Sequence, residues 1–110
     1  MPLRSLSETS NVLTTSNASQ HIGESATVCG QVADVRYVPS SRGRPTYLNF
    51  DNPYPDNSFT VVIFSNARER WPEAPEAMYS DQRVCVTGEV TQFRGKPQII
   101  ANWPREIRLE

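Results

Sequence analysis

The sequence predicts an all-β fold of five strands, with a short helix before the first strand and a short helical segment between the third and fourth. Three observations lead to this prediction. Apolar and polar residues alternate in five separate runs, as they do along strands with one buried face. Valine, threonine, tyrosine and phenylalanine, which favour strands, are concentrated in those runs. Turn-forming glycine, proline, asparagine and aspartate separate them.

The five runs lie between residues 27 and 102. They span residues 27–38, 46–51, 58–64, 83–91 and 98–102. Because side chains alternate across a strand, the first run places Val28 and Val32 on one face. The second run places Leu48 and Phe50 together in the same way. Each pair therefore shares one face of its strand, and alternation alone leaves open which of the two faces is buried.

The helical parts are short. Thr15 or Ser16 can cap a helix that ends at Gly23. Residues 65–81 break the strand pattern, and their prolines prevent one long helix. We expect short helical pieces there, lying against the core.

Length and composition indicate one domain in a chain of 110 residues. Residues 1–14 are rich in Ser, Thr and Asn, so we predict an arm or linker there and a single folded domain over residues 15–110. No apolar run is long enough to span a membrane, and the N-terminus lacks a signal-peptide pattern. The net charge of −1 argues against strong non-specific binding to polyanions.

Two short basic loops stand out against this nearly neutral background. The first basic loop is residues 39–45, and the second basic loop is residues 92–97. Each contains a glycine between two cations, followed by a proline that opens the next strand. Both therefore lie at strand-to-strand turns.

The strand motifs resemble those of small bacterial OB-fold domains of the tRNA-anticodon-binding-like or nucleic-acid-binding type. The similarity rests on Val-x-Gly-x-Val at residues 28–32, on the valine-rich run 84–90, and on Gly-x-Pro-Gln-Ile at residues 95–99. It covers about residues 20–108. The resemblance implies a five-stranded Greek-key barrel, a fold whose members bind DNA, RNA, sugars or proteins.

The resemblance also implies where a ligand binds: on the outer face of the second and third strands, between the two basic loops. The residues that map to this site are Arg42, Arg44, Tyr47, Asn49, Phe93, Arg94 and Lys96, with Arg36 and Tyr37 at the rim. Cations that follow phosphates and aromatic rings that stack on bases suit single-stranded nucleic acid. The same residue types also occur in solvated turns and as covers over barrel ends.

Two functions from different classes follow. The first is weak binding of single-stranded DNA or RNA through the loops and the face between them. The alternative is a protein-interaction or envelope accessory module that presents the same face to a polypeptide. Near-zero net charge is compatible with the alternative.

The fold that the resemblance implies makes the first and fourth strands antiparallel neighbours, with Cys29 and Cys85 on the same side. A cross-strand disulfide is one interpretation, and two independent small buried hydrophobes are the other. A disulfide would imply an extracytoplasmic, oxidising compartment, and free thiols a cytoplasmic one.

Catalysis and metal binding find little support in the sequence. His21 is the only histidine and has no identifiable catalytic partner. The run from Asp51 to Asn57 lacks the regular spacing of a calcium loop. We therefore expect no enzyme activity, no metal and no cofactor.

Overall fold

The computed structural model describes residues 12–110, which form eight strands and four short helices. The strands are β1 (Val12–Thr14), β2 (Ser25–Tyr37), β3 (Thr46–Phe50), β4 (Phe59–Ile63), β5 (Arg83–Glu89), β6 (Thr91–Phe93), β7 (Lys96–Ile100) and β8 (Ile107–Leu109). The α-helices are α1 (Ser65–Arg68) and α2 (Pro75–Tyr79), and the 3-10 helices are Ala18–His21 and Pro104–Glu106. The all-β prediction is confirmed.

The described residues contain eight strands where the sequence predicted five. Part of the difference is the predicted fourth strand, which is divided into β5 and β6 at Val90. The amide of Val90 donates to the carbonyl of Glu24 at 2.9 Å, and its carbonyl accepts from Gly23 at 2.7 Å. These bonds tie Val90 to the turn before β2. The other additions, β1 and β8, are three residues each, too short for alternation to reveal.

β1 falls inside the segment predicted as an arm, and the rest of that segment lies outside the described residues. No helix among residues 12–110 is long and apolar enough to cross a membrane.

The strands form one sheet in the order β6-β7-β4-β3-β2-β5-β8, with β1 paired to β2. The β1–β2 and β4–β7 pairs are parallel, and the other pairs are antiparallel. The 13-residue strand β2 pairs with β5 through its first half and with β3 through its second. The register shifts between Val32 and Asp34, and such an irregularity bends a strand.

The core lies on the face of these strands that carries Val28 and Leu48. Fully buried side chains include Val28, Val32, Leu48, Phe50, Phe59, Val61, Ile63, Val84, Val86 and Ile99. The rings of Phe50 and Phe59 meet edge to face, with centroids 5.3 Å apart. A Cβ atom at Gly30 would come within 3.1 Å of the Phe50 ring, so the glycine of the Val-x-Gly-x-Val motif lets this ring pack against β2.

Cys29 and Cys85 are direct cross-strand partners on β2 and β5. Their Cα atoms are 4.0 Å apart and their sulfur atoms 2.00 Å apart. The two cysteines alternate with the core valines, so they lie on the opposite side of the sheet. The pair is thus at disulfide distance, as the cross-strand interpretation requires.

A helical cap, residues 65–79, covers one end of the core. Trp71 is only 5% exposed, and its indole N–H donates to the hydroxyl of buried Tyr79 at 2.9 Å. Burial raises the pKa of Tyr79, and the bond from Trp71 partly offsets this. The predicted short helical pieces are present, because Pro72 interrupts the segment and Pro75 begins α2.

Candidate nucleic-acid interface

The outer face of β2, β3, β4 and β7 presents side chains in two cross-strand rows. The first row is Arg36, Tyr47, Val62 and Ile100, and the second is Asp34, Asn49, Thr60 and Gln98. Arg36 and Ile100 are exposed, Tyr47 is half-buried and Val62 is buried. We call this surface, with the loops at its two ends, the outer face.

Asn49 belongs to the outer face by alternation but is only 2% exposed. Its amide nitrogen donates to Asp34 Oδ1 at 3.0 Å, and its amide oxygen accepts from Asn57 Nδ2 at 3.2 Å. Asn57 is itself buried and also bonds Thr60 at 2.7 Å. The prediction that Asn49 meets a ligand is therefore corrected: the β3–β4 loop folds back over its side chain, and its amide holds that loop.

Lys96 joins the second basic loop to the β3–β4 loop. Its ammonium group donates to the carbonyl of Pro55 and to Asn57 Oδ1, the latter at 3.1 Å. The ammonium also lies 5.9 Å from the centre of the Tyr54 ring. Lys96 therefore has a structural role, and two acceptors already engage its charge.

Tyr54 is the residue of this surface that sequence reasoning missed. Its side chain is 58% exposed. The guanidinium of Arg36 lies 5.4 Å from its ring centre, so the ring is flanked by a cation from β2 and another from the second basic loop. The available signal was an aromatic residue between Pro53 and Pro55 in a segment otherwise made of polar turn formers.

The second basic loop is a tight hairpin turn between β6 and β7. Arg94 and Gly95 both adopt positive φ, 52° and 82°, as paired residues do in a type I′ turn. Phe93 is 57% exposed, and the guanidinium of Arg94 lies 5.2 Å from its ring centre. Phe93 pairs with Lys96 in register, so it shares the side of the sheet that carries the outer face.

The first basic loop lies at the opposite end of the outer face. It precedes Thr46, which pairs with the last residue of β4, whereas β7 begins beside the start of β4. The carbonyl of Gly43 accepts a bond from the amide of Ser65 at 3.0 Å. Arg42 and Arg44 are exposed on either side of this anchored glycine. The two loops thus frame the face from its two ends.

Tyr37 lies apart from the other predicted site residues. It pairs with Thr46, on the opposite side of the sheet from Arg36. The guanidinium of Arg68 lies 4.1 Å from its ring centre. Tyr37 lines an open depression of about 480 Å³ together with Arg68, Trp71 and the residues through Ala74. It therefore belongs with the helical cap, whose exposed side carries acidic residues.

Within the helical cap, Arg68 is paired with a carboxylate. Arg68 contacts both carboxylate oxygens of Glu76, at 2.9 and 3.0 Å, and donates to Thr46 Oγ1 at 2.6 Å. The hydrogen bond from Arg68 holds the pKa of Glu76 below its ordinary value, although partial burial acts in the other direction.

Cations on the outer face have no such partners. The ion pairs among residues 12–110 are His21–Glu24, Arg68–Glu76 and Arg83–Glu110. Within that part of the chain no carboxylate lies within 4.0 Å of the cationic groups of Arg36, Arg42, Arg44, Arg94 or Lys96. Nearby Asp51 accepts bonds from the hydroxyls of Thr15, at 2.6 Å, and Ser58.

The fold is similar to that of several solved structures. One is a chain provisionally assigned as an aspartyl-tRNA synthetase from Leishmania major Friedlin, with a TM-score of 0.55 and 10% identity. The match covers 89% of this chain and 20% of that one, so this chain spans about a fifth of its length. Another is OBody AM2EP06 bound to hen egg-white lysozyme, with a TM-score of 0.52, 17% identity and coverage of 86% and 88%.

OBody AM1L10, also bound to hen egg-white lysozyme, matches with a TM-score of 0.50 and 17% identity, over 84% of each chain. No protein-family model matches the chain, and no curated protein is significantly similar to it. The structural likenesses show a shared fold.

Proposed function

We propose that this protein is a non-catalytic OB-type module that binds single-stranded DNA or RNA weakly through the outer face. The observation that carries the proposal is the combination of exposed aromatic rings with cations that lack carboxylate partners. The residues assigned to the contact are Arg36, Tyr47, Tyr54, Phe93 and Arg94, with Arg42 and Arg44 at the far end and Lys96 as a support.

The strand pairing supports the OB assignment. β5 and β6 are consecutive and separated only by Val90. If they are treated as one bent strand, that strand pairs with both β2 and β7, and five strands close into a ring. The parallel pair β4–β7 then corresponds to the third and fifth strands of an OB barrel. The synthetase neighbour adds support by analogy of fold.

The chemistry of the face predicts modest affinity. Stacking of a base on an aromatic ring contributes roughly 1–3 kcal/mol. Phosphate contacts by a few arginines add a salt-dependent contribution, with a slope of about −0.7 per phosphate on single strands. The overall charge of −1 supplies no long-range attraction beyond these local contacts.

The direct test is fluorescence anisotropy with a labelled single strand of about 20 nucleotides at low and high salt. We expect Tyr54→Ala to weaken binding by about 5- to 150-fold, which corresponds to the loss of one stacked base. Tyr54→Phe keeps the ring and is the matched control, with near wild-type affinity expected. Absence of wild-type binding at low salt would refute the proposal.

A polypeptide ligand is the second candidate, and one observation favours it. Two chains of similar fold are described as bound to hen egg-white lysozyme, a protein. The same exposed tyrosine, phenylalanine and arginine residues would suit such an interface, because aromatic residues and arginine dominate binding hot spots. A partner that stays bound after nuclease treatment, and is released by Tyr54→Ala, would favour this function over the first.

We further propose that the protein works in an oxidising compartment with Cys29 and Cys85 joined as a disulfide. The direct pairing of the two cysteines across β2 and β5 supports the bond. Disulfides persist outside the reducing cytosol. The native protein should then resist alkylation until it is reduced. Two thiols that react without reduction would contradict the assignment.

A further inference from the structure

We propose that a bound single strand continues from the outer face onto a second aromatic platform, formed by Trp103 with Arg70 and Arg105. This inference rests on the proposed nucleic-acid function and extends it. It assigns a nucleobase to the indole and guanidinium surfaces and a neighbouring phosphate to the arginines. It also predicts that affinity depends on strand length.

The platform is a cluster of one exposed tryptophan and two arginines. Trp103 is 40% exposed. The guanidinium of Arg70 lies 4.0 Å from its ring centre, and that of Arg105 lies 5.2 Å away. Arg70 also donates to the carbonyl of Asn102 at 2.9 Å, which anchors its guanidinium beside the ring. Flat indole and guanidinium surfaces are the groups on which unpaired bases stack.

The charges of this cluster remain available to a phosphate. Among residues 12–110, neither Arg70 nor Arg105 has a carboxylate within 4.0 Å of its guanidinium. Glu106 is the nearby acid in sequence, and its Oε1 atom accepts bonds from the amides of Asn102 and Trp103 at 2.8 and 3.2 Å. Those bonds engage the carboxylate with the backbone and hold the segment that carries the indole.

The platform lies close to the end of β7, where the outer face stops. Ile100 is the last residue of β7 and lies in the first row of the face. Trp103 follows three residues later, so the two Cα atoms are at most about 11 Å apart. The first basic loop lies at the same end. A shallow depression of about 350 Å³ there is lined by Gly43, Phe64 and Asn102, among others. A strand leaving the face would pass Arg42 and Arg44 and reach the indole.

The experiment compares short and long labelled homopolymers, of about 5 and about 20 nucleotides, on the full chain at low salt. We expect Trp103→Ala to weaken binding of the long strand by about 5- to 150-fold, equivalent to one stacked base, and to leave the short strand bound as before. Trp103→Phe should retain most of the long-strand affinity. Leu109→Ala removes an exposed apolar side chain elsewhere, on β8. It should change the affinity for neither the long nor the short strand.

Tryptophan fluorescence provides a second measurement. The long strand should quench the emission of the wild-type protein, and this quenching should be lost in Trp103→Phe. If Trp103→Ala leaves long-strand binding unchanged, or weakens both lengths equally, the platform is overturned while the outer-face function stands. If neither strand binds the wild-type protein, both the platform and the nucleic-acid function of the outer face are overturned. Loss of a protein partner in Trp103→Ala would then assign the cluster to a polypeptide interface.

Discussion

The outer face and the helical cap each place an arginine against a tyrosine, but the two arginines differ in what else they contact. Arg68 of the cap lies 4.1 Å from the Tyr37 ring and also contacts Glu76 and Thr46. Arg36 of the face lies 5.4 Å from the Tyr54 ring, and no carboxylate of the described chain lies within 4.0 Å of it. The same pair of residue types thus stabilises the fold in one place and remains open to a ligand in the other.

The two tryptophans repeat this contrast. Trp71 is buried in the cap and donates its indole N–H to Tyr79. Trp103 is exposed, between two arginines. Burial and hydrogen bonding therefore separate structural residues from candidate binding residues, where residue type alone does not.

The largest expected effect is on the tryptophan pair. Trp71→Ala should lower the free energy of unfolding by about 3–5 kcal/mol, because it opens a cavity and leaves the Tyr79 hydroxyl without its donor. Trp103→Ala should lower it by less than about 1 kcal/mol. Urea unfolding of both variants checks this. Equal losses of unfolding free energy in the two variants would contradict the distinction between a structural Trp71 and an exposed Trp103.

The next largest effect is expected from replacing Arg68, which is paired, and Arg94, which is not. Arg68→Ala should destabilise the protein by about 1.5–3 kcal/mol, since it breaks charged hydrogen bonds in the cap, and should leave the salt dependence of oligonucleotide binding unchanged. Arg94→Ala should alter stability by no more than about 0.5 kcal/mol and flatten the salt dependence by about 0.7 in slope.

Thermal unfolding and binding titrations at several salt concentrations measure both quantities. Arg108→Ala removes an exposed cation on β8 and is the matched charge control. It should change neither the stability nor the salt dependence of binding appreciably. A flattened salt dependence in Arg68→Ala would mean that the paired arginine also contacts the ligand.

The smallest effect is a pH dependence from Glu76. Its pKa in the folded state lies below the ordinary value of 4.5, chiefly because of the hydrogen bond from Arg68. The unfolded state therefore binds more protons in that range. The stabilisation is present above pH 4.5 and is lost as the pH falls through the lowered pKa. Glu76→Gln should flatten this acid limb in unfolding measurements, and a Glu76→Gln curve parallel to that of the wild type would contradict it.

Local patterns predicted which strand residues share a face, but not that the β3–β4 loop covers part of the outer face. Alternation correctly placed Val28 with Val32, and Leu48 with Phe50, on shared faces, because strand geometry alone decides which way neighbouring side chains point. The burial of Asn49 depends on Asn57 returning from the β3–β4 loop, a contact that no periodicity encodes. Tyr54 was missed for the same reason, since a loop has no repeating pattern from which the exposure of a side chain can be inferred.

Tyr37 shows a different limit of sequence reasoning. Its place at the end of β2 was correct, but its partner comes from the helical cap, 31 positions later in the chain. Spacing along one strand cannot indicate which distant segment will cover its end.

The division of β2 between β3 and β5 has a kinetic consequence for a chain synthesised from its N-terminus. The second half of β2 can pair with β3 as soon as that nearby hairpin is made, whereas the first half must wait for β5. Cys29 precedes Cys85 by 56 positions. At roughly 5–20 residues per second, its partner is synthesised roughly 3–11 s later. For that interval the nascent chain carries an open strand edge, at which edge-to-edge association competes with folding.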